Sequence, residues 1–235
     1  MNILTFDIDW APEKVIEDVI NLLSTYNIKA TFFATHESEI LKKIEKEGIH
    51  EMGIHPNFNP LLLGQGGNYQ KKIDDLLKIY PSAVGFRAHS LTHSCPILLY
   101  CLEKGIKYDS NIYIPFGKEL KAFNYFGLMR IPYNWEDDGQ WVSGKSFSDI
   151  GLKLDAELNI FSFHPIHVYL NTYDQAMYDN VKQFYQMPDE LLKNRNKSIP
   201  GTRDLLLFLL KKFAEDGSRV PTLKEYYNHI KEDIE

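Results

Sequence analysis

Two aspartates one residue apart, Asp7 and Asp9, stand in the run Thr5-Phe6-Asp7-Ile8-Asp9-Trp10. Residues 2–6 are apolar or β-branched enough for a buried strand, and Pro12-Glu13 has the character of a helix start. Alternation along a strand turns both carboxylates to the same side at its C-terminal end. In α/β folds that end is where ligands bind. Two like charges that close cost free energy unless a cation or a positive side chain compensates them. The pair therefore points to a metal, with one carboxylate as ligand and the other free to act as a base.

Other ionisable residues fall at the ends of further predicted strands. His36 follows the apolar run Ala30–Ala34, and His55 follows Ile49–Ile54. Arg87 and His89 follow Val84–Phe86, Glu136, Asp137 and Asp138 come after Leu128–Ile131, and His164 and His167 follow Asn159–Phe163. A single histidine at a strand end is usually just a hydrogen-bonding residue. Convergence of so many strand ends on one rim is a stronger signal. His55 and Asn59 are one helical turn apart with Pro56 suited to a first helical position, so both can face a common ion. The segment His50-Glu51-Met52-Gly53-Ile54-His55 is not the helical His-Glu-x-x-His zinc motif. It has one residue too many for the two imidazoles to share a helix face.

The elements that must position these residues alternate. Helical periodicity covers Glu13–Tyr26, Ser38–Lys46, Tyr69–Tyr80 and Cys95–Lys104, with a short strand at Ile106–Tyr108. Thr202 is a plausible N-cap for a helix running to about Glu215 and closed by Gly217. Strands separated by helices imply parallel pairing, hence a barrel or a doubly wound sheet in one domain spanning 1–235. Asn171–Pro200 is polar and helix-prone, which predicts a helical insertion or lid near the rim.

Composition narrows the partners. A hydrophobic content of 44% with 25% charged residues supports a sizeable core. A formal charge of −6 without any Lys/Arg block argues against a nucleic-acid surface. Tyr133, Trp135 and Trp141 suit either sugar stacking or core packing. Cys95 and Cys101, the only cysteines, read as two reduced, buried thiols. The longest apolar run, Leu205–Leu210, is far short of a membrane span, and the first strand starts where a signal peptide would lie. The expectation is a cytoplasmic protein with a small-molecule or glycan-precursor substrate.

In order along the chain, these pieces resemble the polysaccharide deacetylase (NodB-type) homology domain of carbohydrate esterase family four. Thr5-Phe6-Asp7-Ile8-Asp9 is similar to the family's Thr-Phe-Asp-Asp motif with one insertion, and Ala30-Thr31-Phe32-Phe33 to the strand that follows it. Gly48–His55 resembles Gly-His-Glu-Ile-Gly-x-His, and Gly85-Phe86-Arg87 the arginine motif. Lys107-Tyr108-Asp109-Ser110 is also typical of the family. Asp137-Asp138 before Gln140-Trp141 resembles Asp-x-x-Asp-Trp, and Phe161–Pro165 the final histidine motif.

The resemblance implies a distorted (β/α) barrel of about seven parallel strands and a metal-dependent amidohydrolase. The ion would be divalent, zinc foremost, with manganese, cobalt and nickel as alternatives. Asp9, His55 and Asn59 would hold it, and Asp7, paired with Arg87, would be the general base. His164 would be the acid, oriented by Asp137 or Asp138. Substrate contacts would come from His36, His89, Tyr133, Trp135 and His167. Two positions depart from the family: Asn59 stands for its second metal histidine, and His89 for a proline. An amide oxygen is a weaker donor for zinc than imidazole, and His36 or His89 could replace the missing ligand. These features are similar to a branch associated with surface-polysaccharide biosynthesis, which implies removal of an acetyl or formyl group from an amino sugar. The alternatives are hydrolysis of a non-sugar carbon–nitrogen bond and a catalytically silent carbohydrate-binding protein.

Overall fold

Alternation along β1 (Asn2–Asp7) sets the inside and the outside of the molecule. Ile3, Thr5 and Asp7 face one way, and Leu4 and Phe6 face the other into the main apolar core. In a computed structural model describing residues 1–234, β1 lies near the middle of a nine-stranded sheet. The other strands are β2 (Thr31–Ala34), β3 (Glu51–Ile54), β4 (Gly85–Phe86), β5 (Tyr108–Asp109), β6 (Phe123–Tyr125), β7 (Leu128–Arg130), β8 (Trp135–Glu136) and β9 (Asn159–Phe163). Their order is β6-β7-β5-β4-β3-β2-β1-β9-β8, and every pairing is parallel except β6 with β7. The expected parallel barrel is present, with nine strands rather than about seven and one antiparallel edge.

The sheet curls until the segment after β5 meets the segment before β8. Tyr113 and Tyr133 form a parallel bridge there. Tyr133 N donates to Ile112 O and Ile114 N to Tyr133 O, each at 2.9 Å. A short bridge, not a full ladder, closes this seam. Helices Glu13–Thr25, Glu39–Glu47, Tyr69–Ile79, Cys95–Glu103 and Thr202–Glu215 cover the outside. The last begins where the sequence places it, but its N-cap position is Gly201, whose amide donates to the Asp204 carboxylate at 3.1 Å. Cys101 is buried as expected, whereas Cys95 is exposed, and both are free thiols.

The barrel interior is a second, smaller core of Ile3, Phe33, Tyr108, Met129, Ile131, Tyr133 and Ile160. Leu223 opens the C-terminal helix Leu223–Ile234 and packs into this core. Leu223 N donates to Thr31 Oγ1 (2.9 Å) and Lys224 N to Glu51 Oε2 (2.8 Å), so β2 and β3 side chains receive the free amides of the helix start. Burial pushes the Glu51 carboxyl up, against the opposing pull of its bonds from Tyr108, Lys224 and Thr31. Two glycines make room for interior rings. A Cβ on Gly53 would lie 2.6 Å from the Phe33 ring, and one on Gly85 would lie 2.2 Å from the Tyr108 ring.

Tyr108 is fully buried and cannot swing away. Gly85→Ala should therefore lower stability by about 1–3 kcal/mol or more through overpacking, read as a reduced urea midpoint with an unchanged slope.

Candidate active site

At the C-terminal end of β1 the strand stops at Asp7, earlier than the sequence pattern implies. Asp9 and Trp10 both take left-handed backbone, with φ of 42° and 57°. Asp9 therefore reaches the site from a turn and not by strand alternation. Trp10 N bonds Thr35 Oγ1 at 3.0 Å, and the Tyr185 hydroxyl donates to the Asp9 carbonyl; both contacts hold this turn.

Asp7 faces Arg87, which follows β4 and is fully buried. Arg87 Nη1 donates to Asp7 Oδ1 (3.0 Å), Thr5 Oγ1 (3.0 Å) and Ser162 Oγ (2.7 Å). Its Nε and Nη2 donate to the carbonyl and hydroxyl of Ser110 at 2.9 and 3.0 Å. The guanidinium also lies 4.3 Å from the Tyr133 ring centroid and 4.7 Å from that of Phe33.

Asp9 Oδ1 is the centre of a second group. His55 Nε2 lies 3.1 Å from it and His89 Nδ1 3.0 Å. The ligating atoms of Asp9, His55 and His89 are all within 4.8 Å of one another. His55 Nδ1 lies 4.0 Å from Asp7 Oδ1 and is buried without a hydrogen-bond partner. One carboxylate oxygen and two imidazole nitrogens at this spacing suit a divalent ion such as zinc, with positions left for water or substrate. Without an ion, the hydrogen bonds and charges of the neighbouring imidazoles outweigh burial and hold Asp9 well below the usual carboxylate range.

Asn59 spends its amide on the turn after β4. It opens the short helix Asn59–Leu62, its Nδ2 donates to Ser90 Oγ (3.0 Å), and its Oδ1 accepts from Thr92 Oγ1 (3.4 Å). The turn it grips carries His89, with Ser90 and Leu91 in left-handed conformation. The amide that stands where the family has a histidine thus holds the loop that delivers a different histidine.

On the far side of Asp9, His164 Nε2 lies 3.7 Å from Asp9 Oδ2. Asp137 accepts from His164 Nδ1 and from the His164 backbone N–H, each at 2.7 Å. Burial opposes a charge on this imidazole, but Asp137 and then Asp138 and Asp9 override it and raise its pKa well above the usual range. Asp137 is therefore the residue that orients His164. Asp138 faces His167 instead, with Oδ1 3.1 Å from Nε2. Burial raises the Asp138 carboxyl, but the imidazoles of His167 and His164 outweigh it and bring the pKa to about 2.

The remaining expected residues are placed elsewhere. Trp135 is fully buried against Phe161 and Phe163, with Nε1 donating to Gln140, and so has no ring face for a sugar. Tyr133 is also fully buried and stacks on Tyr113 over Arg87. His36 bonds its neighbour Thr35 at 2.9 Å, and burial lowers its pKa. The open cleft of about 420 Å³ is lined instead by Asp9, His89, His164, His167 and Asp138, with aromatic walls from Trp10, Tyr178 and Tyr185. Tyr178 and Tyr185 come from the polar segment 171–200, which folds as helices Gln175–Val181 and Pro188–Lys193 around a short turn. Tyr178 lies on the first of these helices and Tyr185 just after the turn, so no single helical period marks the pair in sequence.

A model of WbmS-like polysaccharide deacetylases matches residues 4–182. The chain belongs to this family. A structure from Bordetella bronchiseptica, described as that of a polysaccharide deacetylase (WbmS) involved in O-antigen biosynthesis, is 37% identical over 90% of each chain, with a TM-score of 0.84. A Mycobacterium smegmatis polysaccharide deacetylase structure shares the fold at 16% identity, covering 99% of this chain and 90% of that one (TM-score 0.60). The Bacillus subtilis peptidoglycan deacetylase PdaC does so at 15% identity, covering 99% and 94% (TM-score 0.55). No curated protein sequence matches significantly.

Glu136 lies among these groups, with its Oε1 3.1 Å from the Tyr133 hydroxyl. Burial and then the carboxylates of Asp138, Asp7 and Asp137 push its carboxyl up to about 7 against the pull of His164. Between the ordinary value of 4.5 and about 7 the unfolded chain ionises while the folded protein keeps the proton. This group thus removes stability as pH rises through that window. Glu136→Gln should raise the melting temperature of the metal-free protein more at pH 8 than at pH 5.

Proposed function

We propose that this protein is a metal-dependent hydrolase that removes an acetyl or formyl group from the nitrogen of an amino sugar during surface-polysaccharide synthesis. One observation carries the reading. Asp9, His55 and His89 converge within 4.8 Å, with the Arg87–Asp7 pair on one side and an Asp137-locked His164 on the other. A silent carbohydrate-binding protein has no use for a buried acid–imidazole pair beside such a ligand set. The O-antigen role described for the Bordetella relative supports the substrate class.

Asp9, His55 and His89 would hold the ion. When bound, a divalent metal polarises the acyl carbonyl and acidifies the attacking water. Asp7 takes the proton released by that water. Arg87 holds Asp7 in place through the 3.0 Å contact and keeps the guanidinium itself out of the cleft. His164 gives its Nε2 proton to the departing sugar nitrogen, and Asp137 fixes Nδ1 as the donor on the opposite edge. The products are an amino sugar and a short carboxylate. Trp10, Tyr178 and Tyr185 offer ring faces for the pyranose, and His167 and Asp138 are within reach of its hydroxyls.

Asp7→Asn should keep its full complement of zinc, by elemental analysis, while turnover of an N-acetyl amino sugar falls by about 10²–10⁴. Equal turnover of the two proteins would remove Asp7 as the base. The ligand assignment has a separate check by calorimetric zinc titration. His89→Ala should weaken binding at least about tenfold, and Asn59→His should leave it nearly unchanged.

A further inference from the structure

Asp138, His164 and His167 form a second convergent group, with ligating atoms within 4.8 Å of one another. Each imidazole is held by its other nitrogen. His164 Nδ1 is taken by Asp137 at 2.7 Å, and His167 Nδ1 faces Thr172 Oγ1 at 3.2 Å. That leaves Nε2 of each ring as the nitrogen free to ligate, the arrangement by which outer partners aim histidines at a metal. Asp138 Oδ1 is buried and lies 3.1 Å from His167 Nε2, yet it has no hydrogen-bond partner, because the two atoms are close without the angle a bond needs. The Asp138 side chain is 47% exposed, so an ion can enter from the cleft.

We propose that Asp138, His164 and His167 form a second, weaker site for a zinc-class divalent cation, and that filling it inhibits the enzyme. The ion would occupy the Nε2 lone pair of His164, where the proton for the leaving amine must sit. The inhibitory consequence rests on the proton-donor role proposed for His164; the site itself does not. The second site is the weaker because His164 Nε2 is only 3.7 Å from Asp9, so an ion there is repelled by one held at Asp9.

The test is equilibrium dialysis of the metal-free protein against rising zinc, with bound metal measured by mass spectrometry and repeated with cobalt for its visible spectrum. The wild type should bind two ions per chain, the second at least about tenfold more weakly. His167→Ala and Asp138→Asn should each bind one, with the tight ion retained as proof of folding. Asp9→Asn should lose the tight ion alone. A wild type that saturates at one ion, unchanged by His167→Ala, would overturn the second site. Two ions in both the wild type and His167→Ala would overturn the assignment of its ligands. If a single ion is lost with His167→Ala but kept with His89→Ala, this site stands and the Asp9 site fails. Turnover should drop at least tenfold as the second equivalent binds. Full turnover with two ions bound would overturn the inhibition.

Discussion

A guanidinium sealed inside a barrel is the constraint on which the rest of this structure depends. Arg87 is fully buried, and so, nearly, is Asp7. Taking either charge out of water alone costs several kcal/mol, and removing one member of such a pair typically costs about 3–5 kcal/mol. The cost is offset because the barrel supplies every direction of the guanidinium with something. Oxygens of Thr5, Ser110 and Ser162 receive its hydrogens, and Phe33 and Tyr133 cover its faces. Those residues sit on or beside β1, β2, β5, β8 and β9, so one side chain ties opposite walls of the barrel together. The same arrangement fixes Asp7 beside His55, where its position is set by the fold and not by solvent.

The upper rim is built from a second chain of contacts. Arg130 grips Asp109 with two bonds of 2.8 and 3.0 Å across β5 and β7. Asp109 accepts from Asn111 Nδ2 (2.9 Å), and Asn111 Oδ1 accepts from the amide of Ala88 (2.7 Å). His89 N then donates to Pro56 O, next to His55 (3.1 Å). Two imidazoles from different strand ends are thereby held to a single separation, and Asn59 completes the clamp through Ser90. At the position of the family's second histidine, Asn59 thus braces the turn that carries His89.

Much of this was legible in the sequence, for physical reasons. The β1 and β9 strands show alternation because one face meets helices and the other a packed interior, and the histidines and aspartates stand at strand ends because that is where the sheet opens. What was not legible depended on tertiary contacts. β6 is largely exposed and β8 only two residues long, so neither carries a period. The left-handed turn at Asp9 and Trp10 is held by Thr35 and Tyr185, the latter far along the chain. Trp135 and Tyr133 have the composition of a sugar platform, and sequence has no means of telling a cleft wall from a barrel interior. Asn59 sits at the spacing of a ligand, and its bonds to Ser90 and Thr92 come from a turn that the sequence does not announce.

The two aspartate–histidine pairs beside the cleft differ in solvent access, and this separates their chemistry. Asp137 and Asp138 are adjacent at the start of one short helix, yet one carboxylate is fully buried and the other is half open. Asp137 spends both oxygens on His164, on its ring and its amide, so the imidazole is fixed in place and in tautomer. Asp138 meets His167 Nε2 at 3.1 Å from a half-exposed side chain, while Thr172 holds that imidazole by Nδ1. A proton donor needs the first arrangement, because a donor that turns loses its aim. A residue that meets variable hydroxyls or a cation needs the second. The one-residue offset between two neighbouring carboxylates is enough to give this cleft one sealed carboxylate and one open one.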